Sequence, residues 1–509
     1  MPRSTPEITV IGAGFSGLSA ACHLADAGAR VTVVDRHPQT GGRARTWVKD
    51  GFHFDMGPSW YWMPDVFERF FASFGYRVDE LYDLRRLDPS YRLVWEREEA
   101  WDVPAGVDAL RRFVDAKEPG AGAGLDRFLR ETKYTYEQAT QDYLLRPSLS
   151  FLEFFDARLL VQLQKLKMLR SMHSYATSFF DDPKLVRLAS WPVLFLGASA
   201  KETSAMYALM SYADMALGTW YPMGGMHRII EGMVRVAEER GVTFRLGEPV
   251  REIALEGMRA TGVRTDEGVI ASDAVVASAD YHHVESQLLP ARARQIPERV
   301  WQKKTMSPSS LLFYLGVKGE VPELPHHTLF FDEDLDRHMD AVYTSPRWPA
   351  RPLFYVCAPT RTDASLAPKG HENLFLLIPL APGLQDDDVA RERTYHACME
   401  RLEKHVGRPL RDQVVLKRSY AMRDFEADYA AFQGNAYGMA NTLRQTGPLK
   451  PPLRSKKVAG LYFAGQMTVP GPGMPPSLVS GELAAKVLMN DVGLRPGSGA
   501  RRAEAQAAE

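Results

Sequence analysis

The chain has 509 residues, 45% hydrophobic and 25% charged, with a formal net charge of −1. It is too long for one hydrophobic core and predicts two or three structural units, while its near-neutral charge argues against capture of nucleic acid. No uninterrupted apolar run approaches the ~20 residues of a spanning helix. Cys22, Cys357 and Cys398 are scattered without a CxxC pair or His–Cys cluster, which argues against disulfides or a metal site and fits a reducing, cytoplasmic compartment.

Residues 8–11 form a short β-rich run, of about five residues and so too short for the core of a signal peptide. A glycine-rich turn, a helix over 15–27 and a second strand over 31–34 follow, predicting a βαβ unit. Strands are expected within 91–103 and a Gly/Ala-rich connection around a short helix at 105–124. Residues 125–217 carry a mainly helical period, interrupted at Pro147, Pro183 and Pro192. A turn at Pro222 to Gly225 leads into a helix over 226–240. Strands are predicted over 242–246, 250–255 and 260–265, with a buried one over 274–278. Strands alternate with polar loops from 309 to 418, around one helix at 387–405. A last buried strand spans 460–464 and a last helix 476–488. The tail from 495 has no core pattern and is expected to be disordered.

Gly12-x-Gly14-x-x-Gly17 falls at the first strand–helix turn. Gly12 permits the turn, Gly14 lets backbone approach a pyrophosphate, and Gly17 allows close helix–strand packing. The helix start, at Phe15 and Ser16, offers free N–H groups to the phosphates. Asp35, at the end of the second strand, is placed to accept ribose hydroxyls, with Arg36 beside it. Gly41, Gly42 and Arg43 extend the phosphate wall, and Asp55-x-Gly57-Pro58 follows. Near the C-terminus, a buried strand ends in Gly465. A turn dense in Gly and Pro, including Gly473 and Met474, then opens the last helix.

In these motifs the chain resembles the superfamily of FAD-dependent amine oxidases and carotenoid desaturases. The Gly465 to Pro476 segment is similar to the C-terminal signature of bacterial phytoene desaturases, and the resemblance spans residues 8–490. Family members usually carry Glu where this chain has Asp35. The resemblance implies an α/β fold: a Rossmann-like FAD-binding domain, a mixed-sheet substrate domain and a helical subdomain. It implies an FAD-binding domain from residues 1–70, 221–287 and 442–490, with Val250 among the cofactor contacts. Substrate-domain parts fall at 71–124 and 288–441, a helical substrate and membrane-contact subdomain at 125–220, and a tail at 491–509.

The resemblance also implies non-covalent FAD, a C40 polyene substrate, and quinone or oxygen as electron acceptor. The expected location is peripheral, on the cytoplasmic face of the cell membrane. Glu153 is the candidate catalytic acid or base, with Asp156 one helical turn on; the bland reading, a pair of ordinary surface acids on an amphipathic helix, is the one their residue type favours. Arg158, Lys165, Lys167 and Arg170 lie among leucines, as in an interfacial helix or a plain bundle helix. Trp60, Trp62 and the methionines of 206–226 are candidates for a polyene tunnel or for ordinary core. The alternatives on the same fold are a later-step carotenoid desaturase or isomerase, an amine or porphyrinogen oxidase, and a flavin-free escort protein. No cysteine follows Cys398, which excludes a C-terminal cysteinyl flavin.

Overall fold

The computed structural model describes residues 5–140, 144–148, 170–196, 199–442 and 444–497. Glu153, Asp156, the leucine and cation stretch 158–169 and the tail from 498 lie outside the described residues. Arg170 is described; it is exposed and donates to the Ser174 carbonyl.

β1 (Glu7–Ile11), α1 (Phe15–Asp26) and β2 (Arg30–Asp35) form the expected βαβ unit, its strands paired in parallel. The helix is buried from Phe15 to Ala25. An unforeseen hairpin, β3 (Thr46–Lys49) and β4 (Phe52–Asp55), precedes α2 (Pro64–Ala72). Its two-residue turn has φ of +51° at Asp50 and +81° at Gly51, the geometry that an Asp-Gly pair favours. β5 (Tyr91–Trp95) and β6 (Ala100–Val103) follow. The stretch expected to be a connection around a short helix holds α3 (Val107–Lys117) and the start of α4 (Ala121–Gln138). There Gly120 takes a left-handed φ of +91°, so the glycines separate and start helices.

After α5 (His227–Glu239) come β7 (Thr243–Leu246), β8 (Val250–Glu256), β9 (Arg259–Thr265), β10 (Gly268–Ala271) and β11 (Ala274–Ala277). Then come β12 (Ser309–Lys318), β13 (His327–Phe331), β14 (Phe354–Cys357), β15 (His371–Leu380), α6 (Asp388–Val406), β16 (Val414–Tyr420) and α7 (Met422–Tyr429). β17 (Leu461–Phe463) and α8 (Met474–Val492) close the fold.

A five-stranded parallel sheet has the order β17-β11-β1-β2-β7, so it collects strands from both ends and the middle of the chain. β8, β9 and β10 form a separate antiparallel sheet. A seven-stranded mixed sheet runs β16-β12-β15-β14-β13-β5-β6. Strand side chains alternate between faces. Phe330, Phe354, Val356, Leu374 and Leu376 therefore pack under α6 with Cys398, Met399 and Leu402. Leu329, Phe331, Tyr355, Cys357, Phe375 and Leu377 face the other way, toward the core shared with α1 and α8.

Candidate active site

The site begins at the β1–α1 turn. Gly12 has a φ of +102°, a conformation open to glycine but costly for other residues. A Cβ on Gly17 would lie 1.9 Å from the Gly12 carbonyl oxygen, so only glycine lets the helix leave this close to its strand. Around Gly14 the constraint differs: its Cβ would meet the chain only at 3.9 Å, at Gly42 Cα. The Asp35 carboxylate accepts from the Ala13 N–H at 2.7 Å and the His37 N–H at 2.8 Å, which holds the end of β2 against the turn. The Gly41 N–H donates to the Ala13 carbonyl at 2.8 Å, bringing Gly41, Gly42 and Arg43 alongside.

The C-terminal segment reaches the same place. Ser480 of α8 accepts from the Gly465 N–H at 2.9 Å and bonds the Thr468 hydroxyl at 2.8 Å. Ser16 bonds Ser278 at 2.6 Å, just beyond β11, and a Cβ on Gly465 would lie 3.3 Å from Ser16 Oγ. Parallel pairing of β17 with β11, and of β11 with β1, is what brings Gly465 to Gly12.

The turn and the C-terminal segment together border one cavity of about 430 Å³. Gly12, Gly14, Phe15, Ser16, Asp35, Arg36, Gly41, Gly42, Arg43, Gly57, Pro58, Val250, Gly465, Gly473 and Met474 all face it. Gly17 does not; it acts behind the wall, by packing. Sequence reasoning missed His37, Asp280, Asp428 and Tyr429. The Arg43 and Arg45 guanidiniums sit 4.9 and 5.1 Å from the Tyr429 ring centroid. Arg45 donates to Asp428 at 2.7 Å and meets His37 Nδ1 at 2.6 Å. No local spacing announces Asp428 or Tyr429, because α7 arrives only through the seven-stranded sheet. The Arg43 Nε is buried without a hydrogen-bond partner, and burial pulls its pKa below the ordinary arginine value despite Asp280 nearby. The Arg43 Nη2 donates to the Asn435 carbonyl at 3.4 Å, so the guanidinium is held in place at the cavity wall.

Away from the glycines the wall becomes apolar and aromatic: Trp60, Trp62, Met63, Met210, Leu312, Leu377 and Tyr437. Met206, Met215, Met223 and Met226 do not line it, and Met226 is simply core. A second cavity of about 70 Å³ lies between Trp191, Leu329, Phe331, Leu335, Met339, Tyr355 and Leu377, and shares Leu377 and Tyr437 with the first. His338 lines it but is held neutral, its pKa pushed down to about 4 by burial. It accepts from the Leu353 N–H at 2.8 Å, and its Nε2 lies 2.9 Å from the Pro379 carbonyl. Burial pushes the Tyr437 phenol up to about 12.

A parallel sheet with a glycine cradle at its strand ends, an acid at the end of β2 and an apolar chamber beyond defines a dinucleotide-binding protein. The comparisons narrow the class. The family described as flavin containing amine oxidoreductase matches residues 15–489. The chain is 42% identical over 492 residues to a carotenoid 3,4-desaturase of Haloarcula japonica, covering 96% of this chain and 99% of that one. It is 32% identical over 488 residues to a zeta-carotene-forming phytoene desaturase of Myxococcus xanthus, covering 95% and 94%. A solved oxidoreductase from Methanosarcina mazei shares the fold, with a TM-score of 0.60 at 18% identity, covering 94% and 100%. The chain belongs to the flavin containing amine oxidoreductase family, and FAD is its cofactor. The residues fit that group. Gly14 and Gly42 leave the cradle free of Cβ atoms, Asp35 would accept from the ribose hydroxyls, and Arg43, which lines the cavity, would face the diphosphate.

Proposed function

We propose that the protein is an FAD-dependent carotenoid desaturase that removes hydrogen from a C–C unit of a long apolar polyene. The observation that carries this reading is the apolar and aromatic wall of the cofactor cavity at Trp60, Trp62, Met63, Leu312 and Leu377, with a second apolar cavity beside it that shares Leu377 and Tyr437 as wall residues. Adjoining apolar walls of this kind suit a hydrocarbon. The described lining of the second chamber carries no carboxylate and no cation, and its histidine is neutral. An ammonium substrate would lose its hydration there without a counter-charge, which speaks against an amine oxidase. The 42% relative favours the bond that its name specifies, the 3,4 position; the phytoene desaturase relative supports an earlier step.

Bound FAD supplies the hydride acceptor, at N5. The residues of this chain bind and orient. The β1–α1 turn and Arg43 hold the diphosphate, Asp35 holds the ribose, and Trp60, Trp62 and Leu377 position the polyene and exclude water. Tyr437 stays protonated at neutral pH, and both His338 nitrogens are engaged, so neither acts as the base. Glu153 is the proposed proton acceptor, on the family resemblance alone.

The polyene resides in lipid, since apolar surface favours the bilayer by about 25 cal/mol per Å². No helix among the described residues is long and apolar enough to cross a membrane. We therefore infer a peripheral enzyme that collects its substrate at the surface, with quinone or oxygen as final acceptor. The test supplies phytoene, and separately a more desaturated carotenoid, in anionic liposomes to the FAD-loaded protein. One of the two should gain conjugated double bonds, and the protein should float with the vesicles and release partly in high salt. Glu153→Gln should lower turnover at least tenfold without loss of bound flavin. A yellow, folded protein that leaves both polyenes unchanged but releases peroxide from amines would overturn the proposal.

A further inference from the structure

Behind Trp60, on the cavity side of the seven-stranded sheet, three potential metal ligands converge. His327 and Cys357 are directly opposite each other on β13 and β14, and His326 precedes them, its ring centroid 4.4 Å from that of His327. One nitrogen of each imidazole and the Cys357 Sγ lie within 4.8 Å of one another, and the three residues are 4%, 0% and 3% exposed. The cysteine spacing hides this group, because His327 and Cys357 meet only across the sheet.

An independent feature points to a ligand. His326 Nε2 and His327 Nε2 are both buried without a hydrogen-bond partner, as is the hydroxyl of Tyr221. The Tyr221 and His326 ring centroids are 4.5 Å apart. The other nitrogen of each imidazole is engaged: His326 Nδ1 with Thr362 Oγ1 and His327 Nδ1 with Tyr355 Oη, each at 2.6 Å. Tyr355 passes its own proton to Ser59 at 3.1 Å, so it accepts from His327. For His327 this fixes Nδ1–H and leaves the Nε2 lone pair for a metal; His326 offers the same lone pair in the tautomer whose Nδ1 donates to Thr362.

We propose that His326, His327 and Cys357 form a binding site for a thiophilic monovalent d10 ion, Cu(I), distinct from the flavin site and independent of the activity proposed above. Soft thiolate and imidazole ligands select such ions. Charge favours the monovalent ion. A thiolate with Cu(I) and two neutral imidazoles carries no net charge, whereas Zn(II) would add one positive charge for the buried Asp55 carboxyl, which lies close enough to act on Cys357, to offset. Ligand atoms at about 2.0–2.3 Å from a metal stand roughly 3.5–4 Å apart in a trigonal set, so a small side-chain rotation closes the present group. On binding, the Cys357 S–H proton leaves to solvent as the S–Cu bond forms, with no change of oxidation state. The ion would pin β13 to β14 beneath Trp60, whose ring stacks on His327 at 4.0 Å and 15° and lines the main cavity.

The test loads the full, FAD-bound chain anaerobically with Cu(I) from a colorimetric Cu(I) chelator. About one ion per chain should transfer, with thiolate-to-copper absorption in the near ultraviolet. X-ray absorption should read one sulfur and two imidazole nitrogens. The Cys22→Ala/Cys398→Ala double variant should keep the ion. Tyr355→Phe should weaken binding about tenfold and Cys357→Ser by more, with bound flavin reporting that each variant is folded. No transfer to the unaltered protein, undiminished binding by Cys357→Ser, loss of the ion in the double variant, or preferential retention of Zn(II) would each overturn the assignment. If Cys357→Ser does not fold, the sulfur and nitrogen count from the unaltered protein decides alone.

Discussion

Gly14 and Gly17 lie three residues apart, yet a side chain at each would meet a different obstacle. A Cβ at Gly17 strikes the Gly12 carbonyl oxygen at 1.9 Å, whereas one at Gly14 finds only ordinary contact at 3.9 Å. Gly17→Ala should therefore destabilise the fold itself, by about 3 kcal/mol or more as β1 and α1 are forced apart. Gly14→Val should leave the folded chain nearly as stable in the absence of FAD but abolish flavin binding, because its side chain occupies the diphosphate position. Thermal unfolding of flavin-free protein, read beside flavin absorbance, separates the two. Equal stability loss in both variants would contradict this division.

At the scale of elements, α2 and α8 are joined by one charged contact. Glu482 is 3% exposed and takes both Arg69 nitrogens, at 3.0 and 2.7 Å, with Lys486 at 3.2 Å. The two-pronged geometry makes this a strong pair. Burial raises the Glu482 pKa, but Arg69, His23 and Lys486 overcome it and hold the carboxyl well below the usual range. A depressed folded pKa stabilises the protein above the unfolded value of about 4.3, and the benefit is lost as pH falls through the folded value. Glu482→Gln should cost about 3 kcal/mol at pH 7, and the difference from the unaltered protein should shrink in acid. Denaturant unfolding between pH 7 and pH 3 tests this; a constant difference would contradict the assigned charge.

For the whole molecule, the parallel sheet draws β1 and β2, then β7 and β11, then β17 from three separated stretches of chain. We propose that residues 1–70, 221–287 and 442–490 fold as one unit. Cutting before Met226 would leave β1 and β2 without β11, β7 or α8, which packs on α1. Limited proteolysis should accordingly give no stable yellow N-terminal fragment that ends before Met226. Isolation of such a fragment would refute the proposal.

The cofactor half was legible because its chemistry is local. A turn that must clear a diphosphate needs glycines at set spacings, and an acid at the end of β2 follows within one βαβ unit. The closing strand at Gly465 was legible for a similar reason, since a buried strand, a Pro/Gly turn and a helix are consecutive in sequence. The Asp50-Gly51 hairpin was equally local, and its signal was present but unread. Other features had no local signal. Tyr429 beneath Arg43 and Arg45, the chamber shared at Leu377 and Tyr437, and the meeting of His326, His327 and Cys357 join residues from different elements. Sequence alone determined the fingerprint and the strands and helix that flank it. Which side chains meet across a face depended on strand order and register, and those were decided when distant strands paired.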